Sequence, residues 1–421
     1  MGKIKRMFGI GIAILCSVIV AAAEKGDITF NKYFEDATLR LDCEFAGNNS
    51  EQHAYLSKLC RQDTWAGRRQ RLNELLLEGN GQVEMRDHVT GELIYVNSFS
   101  SLFTEWLVTE EARHVNKSFQ QCFNVPFPKQ KADIHVMLRN NYRKVIAEME
   151  FMVDPSDILI RKIGNNGVPY SYIMKNGDCS QCIDLAIVAE GYTADEMEKF
   201  RKDAHRAADL IFGHAPFDEL KERFNVVAVE TASAESGVSI PGNKVWKNTA
   251  LGSHFDTFYM DRYLTHTEDI RMNDLLSGIP FEHIIIIVNT EKYGGGGIFN
   301  QWTIAASDHP TFPQVLVHEF GHAYAGLADE YEYGDNPEPT YPDGIEPWEP
   351  NITTKANFAA KWQDMLSTPG VGLYEGGGYR KIGVWRPVDS CRMKVNNVKD
   401  FCPVCTRAIK RITDFYTSER Q

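Results

Sequence analysis

Alternating apolar and polar residues dominate the front of the chain and predict short β-strands. Five runs have this pattern, at residues 38–45, 82–85, 93–97, 134–138 and 145–153. Between the first two runs, an amphipathic stretch over residues 68–77 predicts a helix. Short alternating strands separated by turns are typical of a two-sheet fold. We therefore expect an N-terminal antiparallel β-sandwich-like domain, which we place at residues 24–158.

The pattern changes after Cys182, where the strands become mostly apolar, with Asp184 as the exception in the first, and alternate with helices. Such strands are predicted at residues 183–189, 224–230, 284–288 and 303–306. An uninterrupted apolar run suits a strand that is buried on both faces. Helices are predicted at residues 194–212, from Phe312 or Pro313 onwards, at 355–366 and at 402–416. We therefore expect an α/β or α+β domain with a twisted mixed sheet over residues 159–421.

The first residues have the pattern of a secretory signal peptide. Lys3, Lys5 and Arg6 precede an apolar run over residues 7–20, and three alanines at 21–23 supply a small-residue cleavage signal. The apolar run is too short for a membrane-spanning helix, and no other segment approaches that length. We predict a signal peptide over residues 1–23 with cleavage after Ala23, and a protein that is secreted, periplasmic or held at the cell surface.

Length and charge narrow the class of protein. A chain of 421 residues predicts two or three domains. The formal net charge of -12 argues against a nucleic-acid partner, because nucleic-acid binding depends on basic surfaces. We expect a protein or peptide as the partner. The sequence carries no signal of an oligomeric state.

Eight cysteines remain after the predicted cleavage removes Cys16. An even number of cysteines in an exported protein predicts disulfide bonds, although their pairing is open. The chain also contains two C-x-x-C pairs, Cys179 with Cys182 and Cys402 with Cys405. These pairs are alternatively the two halves of a structural zinc site.

The helix predicted from Phe312 contains the motif H-E-x-x-H as His318, Glu319 and His322. Histidines four residues apart lie on one face of a helix, about 5–6 Å apart at Cβ, so both imidazoles can reach one metal ion. The neighbouring residues are apolar, and bare histidines and a glutamate are costly in such surroundings. The motif therefore predicts one catalytic zinc ion, with Glu319 as the general base.

A catalytic zinc needs a third protein ligand and one open position. Gly326 is predicted to end the helix and to turn the chain back toward the metal. Asp329, three residues later, is our first choice for the third ligand, and Glu330 is its nearest competitor. Further candidates are Glu332, Asp335, Glu338 and Glu346.

Four glycines at 294–297 follow the strand at 284–288. They cannot form a phosphate-binding loop, because no Lys-Ser or Lys-Thr and no helix come after them. They predict either a flexible turn or the edge of a sheet to which another backbone comes close, since glycine permits such an approach.

Residues 318–331 read HEFGHAYAGLADEY, and this stretch resembles the active-site signature of the bacterial IgA-metalloendopeptidase family, a set of secreted zinc peptidases. The run at 187–193, the glycine run and the cysteine-rich tail are similar to that family too. The resemblance implies a catalytic region from about residue 160 to the end. It also implies that the front third corresponds to the family's N-terminal domain.

The order of elements also resembles the metzincin superfamily, whose motif is H-E-x-x-H-x-x-G-x-x-H or D. This chain has one extra residue between His322 and Gly326 but keeps the G-x-x-D interval to Asp329. The resemblance implies a methionine turn beneath the metal, for which residues 390–393 with Met393 are the candidate. The alternative for Met393 is an ordinary buried methionine.

We therefore predict a secreted zinc-dependent endopeptidase that hydrolyses protein substrates, with immunoglobulins implied by the family name. Glu319 would take the proton of the attacking water, and the substrate would pair with an edge strand near residues 294–298. Tyr331 and Tyr341 are candidates to stabilise the oxyanion.

Two alternatives come from other classes. One is a cell-surface binding or adhesion protein with a vestigial zinc site, against which the intact Glu319 weighs. The other is a non-proteolytic zinc amidase or deacetylase, against which the glycine-rich edge and the family resemblance weigh.

Overall fold

The computed structural model describes residues 28–333 and 340–417. The predicted signal peptide and the candidate ligands Asp335 and Glu338 lie outside these residues. Within the described ranges, no helix has the length and apolar character that crossing a membrane requires.

Two four-stranded sheets form the front of the chain, in the orders β5-β1-β2-β8 and β4-β3-β6-β7. Neighbouring strands are antiparallel, except that β8 runs parallel to β2. The elements are α1 (Phe30–Tyr33), β1 (Phe34–Gly47), β2 (Gln52–Gln62), β3 (Gly81–Asp87), β4 (Leu93–Phe99), α2 (Leu102–Trp106), β5 (Lys117–Pro128), β6 (Ala132–Arg139), β7 (Val145–Val153) and β8 (Arg161–Lys162).

The two front sheets pack face to face through aromatic side chains. Phe45 on β1 stacks against Phe99 on β4, with ring centroids 6.1 Å apart, and Phe99 lies 4.4 Å from Phe123 on β5. The alternating pattern of β1 places its apolar residues on this inner face. The structure thus contains the β-rich front domain that the sequence predicts. Strands β2 and β5 were not predicted, since β2 lacks a clean alternation of buried and exposed residues.

The helix predicted at residues 68–77 is wrong, because this segment forms turns. The buried Arg68 explains the difference. Its Nη2 donates to the backbone carbonyls of Leu72 at 3.4 Å and Glu74 at 3.3 Å, and also to that of Val96 on β4. The amide of Val96 in turn donates to Leu72 O at 2.8 Å. The carbonyls of this segment therefore accept hydrogen bonds from the Arg68 guanidinium and from the amide of Val96, in place of the hydrogen bonds of a helix.

A six-stranded sheet in the order β13-β14-β12-β10-β11-β9 forms the centre of the rest of the chain. Its four inner strands are parallel and its two edge strands antiparallel. The elements are β9 (Tyr170–Met174), β10 (Ile183–Glu190), α3 (Met197–Phe212), α4 (Phe217–Leu220), β11 (Phe224–Val229), α5 (Asp269–Leu275), β12 (His283–Val288), β13 (Gly295–Ile298), β14 (Trp302–Ala306), α6 (Phe312–Ala325), β15 (Tyr374–Gly377), β16 (Arg380–Arg386) and α7 (Pro403–Thr417).

Both faces of the central sheet are covered, which explains its predominantly apolar strands. Ile187 on β10 belongs to the core formed with α3, α6 and α7. The next residue, Val188, belongs to a second core, which the long segment before β12 completes with side chains such as Leu251 and Phe255. That segment therefore covers the sheet on the side away from α6.

The helix predicted at residues 355–366 is also wrong. This segment holds two short 3₁₀ turns, Phe358–Ala360 and Gln363–Met365. Between them the buried Trp362 donates from Nε1 to Gly372 O at 2.8 Å. Burial of this one large ring fixes the segment more strongly than its weak helical pattern does.

The front domain packs beside the edge strand β13. Ser100 N donates to Phe299 O at 2.9 Å, and Asn300 Nδ2 donates to Ser98 O at 2.7 Å. Farther away, the buried Arg40 reaches Asp274 on α5 with 2.6 Å between Nη2 and Oδ1. These contacts make the front domain one wall of the cleft described below.

Candidate active site

Helix α6 presents its two motif histidines to one point. Pro313 lies in the first turn of this helix, and Gly326 ends it with a φ of +59°, which is left-handed and favours glycine. Gly326 N donates to His322 O at 3.0 Å, so the chain turns back directly after the second histidine. His318 and His322 lie one turn apart, and their Nε2 atoms are 3.0 Å from each other.

The turn at Gly326 brings Asp329 to the histidines. Its Oδ1 lies 3.0 Å from His318 Nε2 and 3.2 Å from His322 Nε2.

The other candidate ligands in the described ranges have other partners. Glu330 contacts Cys405, Glu332 lies beside Gly376, and Glu346 accepts a hydrogen bond from Asn357 N. The supporting contacts are 3.4 Å from Cys405 Sγ to Glu330 Oε1 and 2.8 Å from Asn357 N to Glu346 Oε2.

The backbone fixes the tautomer of both imidazoles. His318 Nδ1 lies 3.0 Å from Arg392 O, and His322 Nδ1 lies 2.6 Å from Leu327 O. A carbonyl oxygen only accepts hydrogen bonds, so each Nδ1 carries a proton, and in the neutral imidazole the lone pair is then on Nε2. The two Nε2 atoms and the Asp329 carboxylate face one another in a buried place.

These three atoms fit a zinc ion. Tetrahedral ligands about 2.0–2.1 Å from zinc lie about 3.3 Å from one another, close to the observed separations of 3.0–3.2 Å. Apart from the two histidine nitrogens, Asp329 Oδ1 has no hydrogen-bond donor among the described residues, as expected of an oxygen that a metal ion would hold. Burial alone would raise the pKa of Asp329, but the two histidines, when protonated, hold that pKa well below its usual range.

Tyr379 orients the aspartate from the other side. Its hydroxyl donates to Asp329 Oδ2 at 2.6 Å, leaving Oδ1 directed at the histidines. Hydrogen bonds of this kind to the free atom of a ligand fix its orientation and strengthen metal binding. Tyr379 carries no motif, so nothing in the sequence pointed to it.

Glu319 lies on α6 between the two histidines. One of its carboxylate oxygens and the ligand atoms of His318 and His322 lie within 4.8 Å of one another. Burial raises the pKa of this carboxyl above its usual range, which suits a group that accepts and releases a proton.

The glycine run lets β13 lie directly against α6. A Cβ on Gly295 would stand 3.0 Å from Glu319 Cγ, and one on Gly297 only 2.3 Å from Glu319 O. The predicted close approach of another backbone is confirmed, and the approaching backbone is that of the histidine helix. The flexible-turn alternative is wrong, because all four residues of β13 pair with β14.

The outer side of β13 is partly covered. Tyr263 forms a parallel bridge with Gly295 at one end, and Ser100 N bonds Phe299 O just beyond the other. The length of strand that an extended substrate could pair with is therefore shorter than the predicted stretch of 294–298.

The site opens into a cleft of about 910 Å³ between the two domains. The front domain contributes Glu105 of α2 to its wall, and the Tyr263 hydroxyl donates to this carboxylate. Burial raises the pKa of Glu105 to about 7. The two candidates for stabilising the oxyanion, Tyr331 and Tyr341, also line the cleft. The hydroxyl of Tyr341, however, donates a hydrogen bond to Glu349 Oε1 at 3.0 Å.

Met393 lies beneath the histidine helix. It is fully buried, and a Cβ on Gly321 would stand 2.9 Å from its Sδ. Its carbonyl accepts from Glu330 N at 2.8 Å, while the preceding carbonyl of Arg392 accepts from His318. The turn at 390–393 thus holds both a site histidine and the segment that carries Asp329.

The structure does not contain the predicted disulfides, since all eight cysteines of the described ranges are free thiols. Cys60 and Cys122 show one reason. Cys60 pairs with Arg40 on one side of β1, and Cys122 pairs with Asp42 on the other side. Two inter-strand spacings therefore separate the two cysteines, which is more than the Cα–Cα distance that a disulfide can span.

The two C-x-x-C pairs are not halves of one zinc site, so this alternative is wrong as well. Cys179 lies beside Trp65 O and Cys182 beside Glu222 O. The other pair, Cys402 and Cys405, instead gathers with Cys391 and Glu330.

Comparison with known families identifies the class of protein as a peptidase. A family model described as IgA Peptidase M64 matches residues 172–370 and 367–413, more than half of the chain. A second, described as Peptidase M64 N-terminus, matches residues 29–150. The chain belongs to the IgA peptidase M64 family, as the resemblance predicted. A search of curated proteins finds no match.

Proposed function

We propose that this peptidase is a zinc-dependent endopeptidase that is exported and cleaves protein substrates. In this proposal His318, His322 and Asp329 hold one catalytic zinc ion, and Glu319 is the general base. The observation that carries the proposal is the convergence of Asp329 Oδ1 and the Nε2 atoms of His318 and His322 within 3.0–3.2 Å of one another, on the wall of a large cleft.

The chemistry that zinc supplies when bound is a more acidic water and a polarised scissile carbonyl. Glu319 accepts the proton of the attacking water and delivers it to the leaving amine. Its burial supports this role, because a raised pKa lets the carboxyl hold the proton between the two transfers. The carbonyls of Arg392 and Leu327 keep the imidazoles oriented throughout, and Tyr379 does the same for Asp329.

The cleft supports a peptide chain as substrate. Its volume of about 910 Å³ exceeds what one side chain fills, and its walls come from both domains. Strand β13 borders it and offers backbone groups for pairing with an extended chain between its covered ends. Immunoglobulin A, named in the description of the family, is the candidate substrate for a direct test.

The test compares the purified wild-type protein with Glu319→Gln and with the control Glu198→Gln, an exposed glutamate on α3. The substrates are unfolded proteins, a peptide library and IgA. We expect Glu319→Gln to lower kcat by about 10²–10⁴-fold while zinc content stays the same, since a general base contributes that much. Glu198→Gln should behave as wild type, and removal of zinc by a chelator should abolish cleavage.

The outcomes separate the alternatives. Normal cleavage by Glu319→Gln would show that the base is assigned wrongly. A wild-type protein that binds zinc and proteins without cleaving them would support the adhesion alternative. Release of acyl groups from side chains, with intact backbones in the mass spectrum, would support an amidase or deacetylase.

A further inference from the structure

Three cysteines and a glutamate form a second buried cluster, apart from the histidine site. The ligand atoms of Cys391, Cys402, Cys405 and Glu330 all lie within 4.8 Å of one another. Each of the four residues is buried, and Glu330 is completely so. A carboxylate that far from water is costly unless a charged partner compensates it.

The spacing of the sulfur atoms is that of ligands on a metal. Cys391 Sγ and Cys405 Sγ lie 3.8 Å apart. Thiolates about 2.3 Å from a tetrahedral zinc ion lie about 3.8 Å from one another. The sulfurs of a disulfide are about 2.05 Å apart. A disulfide between two of these cysteines would also involve neither the third thiol nor the Glu330 carboxylate, although both lie in the same cluster.

Backbone amides stabilise negative charge on two of the sulfurs. Cys402 N donates to Cys391 Sγ at 3.3 Å, and Cys405 N donates to Cys402 Sγ at 3.4 Å. Both donors lie at the start of α7, where the helix dipole also favours negative groups.

Glu330 completes the set as an oriented oxygen ligand. Asn351 Nδ2 donates to its Oε1 at 2.9 Å, while its Oε2 has no hydrogen-bond donor among the described residues. A fully buried carboxylate with one oxygen 3.4 Å from the Cys405 thiol, and with its other oxygen lacking a donor, is what a cation site offers.

We propose that Cys391, Cys402, Cys405 and Glu330 bind a second zinc ion in a closed, four-coordinate structural site. Soft thiolates with one carboxylate in this arrangement favour zinc over calcium or magnesium. The ion would join the segment after α6, the turn at 390–393 and the start of α7. The site stands whether or not the histidine site is catalytic.

Metal content tests the proposal. We expect two zinc ions per wild-type chain, one in Cys405→Ser and one in His322→Ala. The matched control is Cys182→Ser, which changes the corresponding cysteine of the other C-x-x-C pair and should keep both ions. One zinc ion in the wild type that His322→Ala removes would overturn the second site and leave the proposed function untouched.

Cobalt substitution distinguishes the two sites without relying on a stable variant. Cobalt(II) bound to thiolates gives a sulfur-to-metal charge-transfer absorption that a histidine–carboxylate site does not give. We expect this absorption in the wild type and in His322→Ala, and its loss in Cys405→Ser. Peptide mapping of the wild type should find Cys391, Cys402 and Cys405 all alkylated without reduction. A disulfide between any two of them, or cobalt binding without the absorption, would refute the proposal.

Discussion

Asp329 and Glu330 are consecutive residues, yet their carboxylates serve different clusters. Asp329 Oδ1 lies 3.0 Å from His318 Nε2, whereas Glu330 Oε1 lies 3.4 Å from Cys405 Sγ. The backbone between them is fixed by the bond from Glu330 N to Met393 O. The backbone next to the third candidate zinc ligand is therefore tied to the turn at 390–393, which also carries Cys391 of the buried cluster.

Tyr379→Phe tests the support of Asp329. The change removes the hydroxyl that donates to Asp329 Oδ2 but keeps the buried ring. We expect zinc affinity at the histidine site to fall about 10–100-fold, as for other groups that orient a ligand. Competition with a chelator of known affinity measures the change. Equal affinity in both proteins would show that this hydrogen bond does not position the aspartate.

Gly297→Ala tests the contact between β13 and α6. The added Cβ would stand 2.3 Å from Glu319 O and 3.0 Å from His322 Cβ, so the helix or the strand must shift. We expect the free energy of unfolding to fall by about 1–3 kcal/mol, as overpacking causes. We also expect kcat/KM to fall, and by more than that amount when its loss is expressed as a free energy. Gly164→Ala is the control, since a Cβ there meets nothing within 4 Å. If Gly297→Ala kept full activity, the strand would not determine the site's geometry.

Arg40→Met tests the two ion pairs of the buried Arg40, one within β1 and one with α5 of the other domain. Arg40 Nε lies 2.7 Å from Asp42 Oδ1, and its Nη2 reaches Asp274. Loss of the guanidinium leaves the partly exposed Lys58, with Nζ 3.2 Å from Asp42 Oδ2, as the remaining cation beside this fully buried carboxylate. We expect a cost of about 3–5 kcal/mol in the free energy of unfolding. Denaturant unfolding gives the value. The exposed pair of Arg86 and Glu84, changed as Arg86→Met, should cost less than about 1 kcal/mol. Equal costs for the two changes would contradict the account.

Asp269→Asn tests a pH dependence. Burial raises the pKa of Asp269 from 3.8 in the unfolded chain to about 7 in the folded protein. The folded state therefore holds a proton that the unfolded state has released, and stability falls as the pH rises from about 4 to about 7. Asparagine has no such proton, so the variant's free energy of unfolding should fall less steeply over this window. Denaturant titrations at several pH values measure the slopes, and parallel slopes would show that Asp269 does not take up a proton on folding.

The sequence predicted those parts of the fold that depend on local pattern. Helix α6 follows from its apolar face, Pro313 and Gly326, and the motif places His318 and His322 one turn apart. The G-x-x-D interval pointed to Asp329, the residue that the structure brings to them. The central strands were equally clear, because burial on both faces leaves almost no polar position.

What the sequence could not give depends on contacts between distant residues. Arg68 bonds carbonyls that helical hydrogen bonds would otherwise have used, and a buried Trp362 replaces the helix predicted around it. Glu105 reaches the cleft from the other domain, and no motif marks it. Glu330 appeared to be a rival of Asp329, and only the fold shows that it faces the three cysteines.

The most direct test of the central proposal is an anomalous-scattering map of the crystallised protein, measured on both sides of the zinc absorption edge. We predict a zinc peak about 2.0–2.2 Å from His318 Nε2, His322 Nε2 and a carboxylate oxygen of Asp329. The data would at the same time show whether a second peak lies among the three sulfurs. A map with no peak between the histidines, or with a peak there that Asp329 does not reach, would contradict the account.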